Sequence, residues 1–83
     1  MARYVLHPQV GLREEKFGAL AYHYGNRRLT FLNDDRLVAV VRTGGDHDDI
    51  EGAFDAAGVP AAQRPAFLVV LERLRAAEVV TCE

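Results

Sequence analysis

From Leu20 to Phe31 large side chains recur at every second position, on either side of a break at Gly25-Asn26. Period-two patterning marks strands, and a glycine at a two-residue break suits the positive φ of a tight hairpin turn. Closing the loop on Gly25 and Asn26 sets Tyr24 against Arg27, Tyr22 against Leu29 and Leu20 against Phe31. Leu20, Tyr22, Leu29 and Phe31 then share one face. Ala19, Ala21, His23, Arg28 and Thr30 share the other. One face is apolar and one is mixed, the pattern of a sheet buried on a single side. His23 on the mixed face reads as a partly exposed strand residue.

Upstream, Tyr4-Val5-Leu6 is followed by Pro8, which donates nothing to a ladder, so residues 2–8 read as an extended lead-in or an edge segment. Val10 and Leu12 alternate with polar or small residues over 9–14, and Arg13 to Lys16 form a charged turn into the hairpin. Downstream the period lengthens. Asn33 caps a helix from Asp34 to about Thr43, with Leu37, Val40 and Val41 as its buried stripe and Gly44-Gly45 as its stop. A second helix spans about 49–57, capped by Asp48 with Glu51 three residues on, and ends at Gly58. A third covers about 61–77, its regular part starting at Arg64 or Pro65, since proline is tolerated only in a first turn. Phe67, Val70, Leu71 and Leu74 form one stripe, and Leu68 and Val69 widen it. Val79-Val80-Thr81 is either a strand stub or the frayed helix end. The reading is an α+β domain over residues 1–83, winged-helix-like, with a three-stranded antiparallel sheet followed by three helices. Helices two and three would form a helix-turn-helix pair.

Composition narrows the function mainly by exclusion. The 83 residues carry a net charge of −2, and the ten basic side chains are spread along the chain, so nucleic acid is not the expected partner. No apolar run approaches the roughly 20 residues of a membrane span, and, with Arg13 to Lys16 interrupting the N-terminal region, no signal peptide is expected. The expected location is the cytoplasm. With no serine and one cysteine, Cys82, neither a nucleophilic triad nor a cysteine metal site is expected. Asp46-His47-Asp48-Asp49 offers metal-binding atoms, but it lacks the spread of a calcium loop and stands where a helix begins. No catalytic residue, metal or cofactor is expected.

A binding site is. The strand over 27–32 comes last in the meander and pairs on one side only. Arg27 and Arg28 guard one end, while Leu29, Thr30, Phe31 and Leu32 leave unpaired backbone groups to which an extended peptide can add as a further strand. Leu68 and Val69 of the third helix would wall the groove, with Arg28 or Arg64 meeting acidic peptide side chains. Three other readings stand beside this one: residues 2–8 cover the edge, the edge joins two copies as a homodimerisation module, or the third helix reads DNA through Arg64, Arg73 and Arg75.

The order of strands and helices, with Leu32-Asn33 entering helix one and Gly45-Asp46 before helix two, resembles the PqqD-like family. These are recognition elements of ribosomally made, post-translationally modified peptide pathways. More closely, His7-Pro8-Gln9-Val10, Phe17-Gly18-Ala19-Leu20, Tyr22-His23-Tyr24-Gly25 and Arg27 to Leu32 resemble the peptide chaperones of the mycofactocin pathway. Val38 to Val41 and Ala56 to Val59 extend the likeness in apolar pattern. The resemblance implies a non-catalytic protein that binds a precursor peptide and presents it to a radical S-adenosylmethionine maturase acting on the peptide's C-terminal Val-Tyr; the pattern leaves monomer or homodimer open. It also implies that the precursor lies along Arg27, Arg28, Leu29, Thr30, Phe31 and Leu32, facing Phe67, Leu68, Leu71 and Arg75. Two departures from the family pattern are Asp34-Asp35 and Glu78, where relatives often have glycine; both are expected to lie clear of the groove.

Overall fold

The computed structural model describes residues 3–83. Four strands come first: β1 (Tyr4–Leu6), β2 (Val10–Glu15), β3 (Gly18–His23) and β4 (Leu29–Leu32). Then follow α1 (Asp35–Thr43), α2 (Ile50–Ala57), α3 (Arg64–Ala76) and β5 (Val80–Cys82). The α+β architecture stands, with a second sheet added. Strands β2, β3 and β4 form the antiparallel meander in that order, while β1 pairs antiparallel with β5. Residues 4–6 of the lead-in therefore bond to the chain's last strand; residue 2 lies outside the described residues. Val79-Val80-Thr81 resolves as the approach to β5 and its body rather than as frayed helix.

The strand register matches the pattern, with Tyr22 opposite Leu29 and Leu20 opposite Phe31. The turn does not. Its loop is four residues, Tyr24 to Arg27: the His23 N–H donates to the Arg28 carbonyl at 3.0 Å, and the Arg27 N–H donates to the His23 carbonyl at 2.7 Å. The left-handed residue is Arg27, at φ 61, not Gly25. Gly25 is small for another reason: a Cβ there would sit 2.4 Å from Gln9 Oε1 and 2.8 Å from a His23 ring carbon. His23 organises this loop, its Nδ1 accepting the N–H groups of Gly25 and Asn26, both at 3.0 Å. It is buried, with Nε2 unpartnered, rather than partly exposed.

The inward face of the sheet is also the reverse of the one bulk suggests. Ala19, Ala21 and Leu32 are buried against the helices with His23, whereas Leu29 and Phe31 stand in solvent. Small side chains on β3 let α1 lie close across the sheet. The space is filled from the helix side by Leu37, Val40 and Val41, all buried. Phe54 of α2 and Leu71 of α3 complete one cluster, both fully buried.

The N-caps of α1 and α2 each fall one residue later than the pattern suggests. Asp34, not Asn33, caps α1, its Oδ1 accepting from the N–H groups of Arg36 and Leu37 at 2.8 and 3.2 Å. Asp49, not Asp48, caps α2, accepting from the Gly52 N–H at 3.0 Å. Aspartate at these positions satisfies otherwise orphaned donors and suits the helix dipole. Gly58 ends α2 in the left-handed conformation, at φ 73. A 3-10 turn over Ala61–Gln63 precedes α3, and Pro65 lies in its first turn.

Candidate functional site

Strand β4 keeps one edge unpaired. In an antiparallel ladder, bonded and non-bonded pairs alternate. The bond from the His23 N–H to the Arg28 carbonyl fixes the phase. Thr30 and Leu32 thus bond inward to Ala21 and Ala19, while Leu29 and Phe31 turn their N–H and C=O groups to the open side. Among the described residues no strand occupies that side.

Helix α3 comes near the two ends of β4. The Asn26 amide at the hairpin tip donates to the Glu78 carboxylate, just past α3, at 3.1 Å. At the far end of β4, Asn33, Asp34 and Leu37 approach Phe67 and Val70 around a groove of about 180 Å³. The first half of α3 thus lies near the far end of β4 and its C-terminal end near the hairpin tip, so the two elements run in opposite senses. The Arg36 guanidinium lies 5.9 Å from the centre of the Phe67 ring, adding a cation over an aromatic face at the groove. Asp34, expected to lie clear of the groove, lines it, and Glu78 is tied to the hairpin tip.

The anticipated site residues are only partly gathered here. Arg27, Arg28, Leu29 and Phe31 are exposed along β4 and its loop, Thr30 is half-buried, and Leu32 points into the core. Phe67 is half-buried and lines the groove. Leu71 is fully buried. Leu68 lies with Val69, Glu72 and Arg75 on a separate shallow surface of α3. Arg75 donates to Glu72 at 3.1 and 3.0 Å, and the other Glu72 oxygen accepts the Tyr4 hydroxyl of β1. That flank of α3 thus faces the β1–β5 ribbon. Arg64 donates to Glu51 at 2.9 Å, Asp55 at 2.7 Å and the Val59 carbonyl at 3.0 Å, so it locks α2 to α3. Neither Arg64 nor Arg75 is presented as a free cation to DNA or to peptide. Val70, Asn33 and Glu78 belong beside the edge and were not singled out from the pattern. Val70 shares a stripe with Phe67, Leu71 and Leu74, of which only Phe67 and Leu71 are expected to face the precursor.

The shifted ionisable groups Glu72 and Tyr4 meet at the ribbon-facing flank of α3. Arg75, and then the Tyr4 hydroxyl, hold the Glu72 carboxyl below the usual carboxylate range. The bond to Glu72, with burial and the nearby negative charge, pushes the Tyr4 hydroxyl up to about 12. Among the described residues no group of three or more His, Cys, Asp or Glu side chains is arranged to hold a metal ion. Within 46–49, Asp49 serves as a helix cap.

These features define a small α+β domain whose three-stranded sheet leaves one edge of β4 open. The sequence model of the Peptide chaperone MftB family matches residues 3–81, and the chain belongs to that family. It is 46% identical over 69 residues to "Peptide chaperone MftB" of Mycobacterium ulcerans (strain Agy99), covering 83% of this chain and 63% of that protein. The values are the same for the protein of that name from Mycobacterium tuberculosis (strain ATCC 25618 / H37Rv). The Mycolicibacterium smegmatis protein is 47% identical over 66 residues, 80% of this chain and 65% of its own length. The chain thus spans a little under two thirds of these curated relatives. No solved structure matches it.

Proposed function

We propose that this chain is a single, non-catalytic peptide-recognition domain that holds a ribosomally made precursor by strand addition and presents it to the radical S-adenosylmethionine maturase of mycofactocin biosynthesis. It works in the cytoplasm, without a cofactor. The observation that carries the reading is the outward set of backbone groups on Leu29 and Phe31, beside the groove lined by Phe67 and Val70. A precursor strand pairs with those groups. Its alternate side chains turn toward Phe67 and Val70, and Arg27 and Arg28 stand ready for carboxylates at the hairpin end. Membership of a family of peptide chaperones supports the partner class.

The test is calorimetric titration with the precursor peptide encoded beside this chain, using two neighbouring proline substitutions. Proline removes one backbone donor. At Leu29 the lost N–H faces the open edge, so Leu29→Pro keeps its circular-dichroism spectrum and binds at least ten times more weakly. At Thr30 the lost N–H belongs to the ladder with Ala21, so Thr30→Pro loses stability whether or not peptide is present. A folded Leu29→Pro that binds as tightly as the parent protein refutes strand addition at this edge.

A further inference from the structure

The sheet carries its bulk on the face turned away from the helices. Leu20, Tyr22, Tyr24, Leu29 and Phe31 form that face, and Tyr24, Leu29 and Phe31 are 66%, 62% and 53% exposed. The rings of Tyr22 and Tyr24 meet edge to face with centroids 4.9 Å apart. The Tyr24 ring reaches across to β2, where a Cβ on Gly11 would lie 3.0 Å from its hydroxyl oxygen. The aromatic pair therefore covers the β2–β3 half of the sheet. A strand added beside β4 would lie at the opposite edge, in the plane of the sheet, and would leave these rings uncovered. A contiguous apolar patch of this kind marks an interaction surface.

The charges around the patch say what covers it. Arg13 shares this face, opposite Leu20, with its side chain 80% exposed. Lys16 stands at the β2–β3 turn, and Arg27 in the β3–β4 loop. Glu15, 3.8 Å from Arg13, is the one acidic side chain that the register sets on this face. The segregation runs through the whole chain: residues 1–33 carry five basic and two acidic side chains, residues 34–83 five basic and ten acidic. A second copy stacked on the same patch about a twofold axis would set these cations against their own copies. We infer that the outer face of the sheet docks a folded protein through an apolar surface bordered by carboxylates. Resting on the function proposed above, that protein is the maturase, held on one face of the sheet while the precursor occupies the edge.

Purified maturase and precursor peptide are titrated separately into the parent protein and into Tyr24→Ser, Arg13→Glu and Arg13→Lys. All three substitutions lie at exposed positions, and circular dichroism checks the fold. Tyr24→Ser and Arg13→Glu lower maturase affinity at least tenfold and leave precursor affinity within twofold, while Arg13→Lys retains most of the maturase affinity. Unchanged maturase affinity in both variants overturns the inference. So does a loss of precursor affinity in Tyr24→Ser, or a dimer of the parent protein that Tyr24→Ser dissolves in sedimentation. If the parent binds precursor but no maturase, the docking face falls and strand addition stands. If Leu29→Pro keeps precursor binding while Tyr24→Ser loses the maturase, strand addition falls and the docking face stands.

Discussion

Arg27 and Glu78 both hold left-handed backbone, at φ 61 and φ 65, and they flank the hydrogen bond that ties the hairpin tip to the end of α3. A side chain in that region is strained by about 1–2 kcal/mol relative to glycine. At Glu78 the compensation is one exposed hydrogen bond to Asn26, worth less than that. Glu78→Gly is therefore expected to raise the melting temperature, by about 4 °C for a gain near 1 kcal/mol in a domain of this size. Glu78→Val is expected to lower it, because a branched Cβ is poorly tolerated there. Calorimetric melts of the three proteins check the order. The Tyr4–Glu72–Arg75 cluster makes a pH prediction at the same scale. The folded Tyr4 hydroxyl titrates near 12, above the ordinary tyrosine value of 10.0, so its contribution is complete below pH 10 and lost as pH rises toward 12. Glu72 acts oppositely: its carboxyl is held low, so its contribution is present above the ordinary carboxylate range and lost as pH falls below it. In urea melts, Tyr4→Phe is expected to be less stable than the parent at pH 8, with the gap narrowing between pH 10 and 12.

Among the elements, the hairpin shows what patterning reveals and what it hides. Alternation from Leu20 to Phe31 sets the pairing register, because each partner must fall on one face or the other. It does not say which face is inward. Bulk suggests the Leu20–Tyr22–Leu29–Phe31 face, yet Ala19 and Ala21 are the buried ones because α1 fills the space above them. The period cannot register a helix that approaches closely. The β1–β5 ribbon was hidden for a related reason: each strand is three residues long, and their pairing joins the two ends of the described chain. Helix stops were legible as glycines, but the role of Gly44 was not. Its φ is an ordinary helical −56, and its lack of a side chain serves β1, since a Cβ there would fall 1.9 Å from the Tyr4 carbonyl oxygen. Gly44→Ala must push the ribbon off α1 and is expected to cost more than about 2 kcal/mol. Gly58→Ala meets nothing within 4 Å and bears only the strain of φ 73, about 1 kcal/mol. Chemical denaturation of the pair checks the ranking, and equal losses would remove the close approach as the reason for Gly44.

For the whole molecule, an open edge on one side of a sheet and an apolar, basic-rimmed face beside it give two surfaces that do not compete. In the proposed function that arrangement is the mechanism. A precursor held at β4 while the maturase sits on the outer face meets the enzyme intramolecularly, at an effective concentration in the millimolar range for a short flexible tether. No catalytic group is needed from this chain. The rate gain it gives must then depend on precursor concentration in a particular way. With precursor at low micromolar levels, adding the chaperone is expected to raise the initial rate of peptide modification at least tenfold. As free precursor approaches about a millimolar, the gain is expected to disappear, because bulk encounter then matches the tethered one. Leu29→Pro and Tyr24→Ser are each expected to abolish the gain at low precursor, one by releasing the peptide and the other by releasing the enzyme. Initial rates by mass spectrometry across the concentration series measure it. A gain that persists undiminished at saturating precursor would mean that the chain alters the maturase itself, and tethering would be the wrong account of its role.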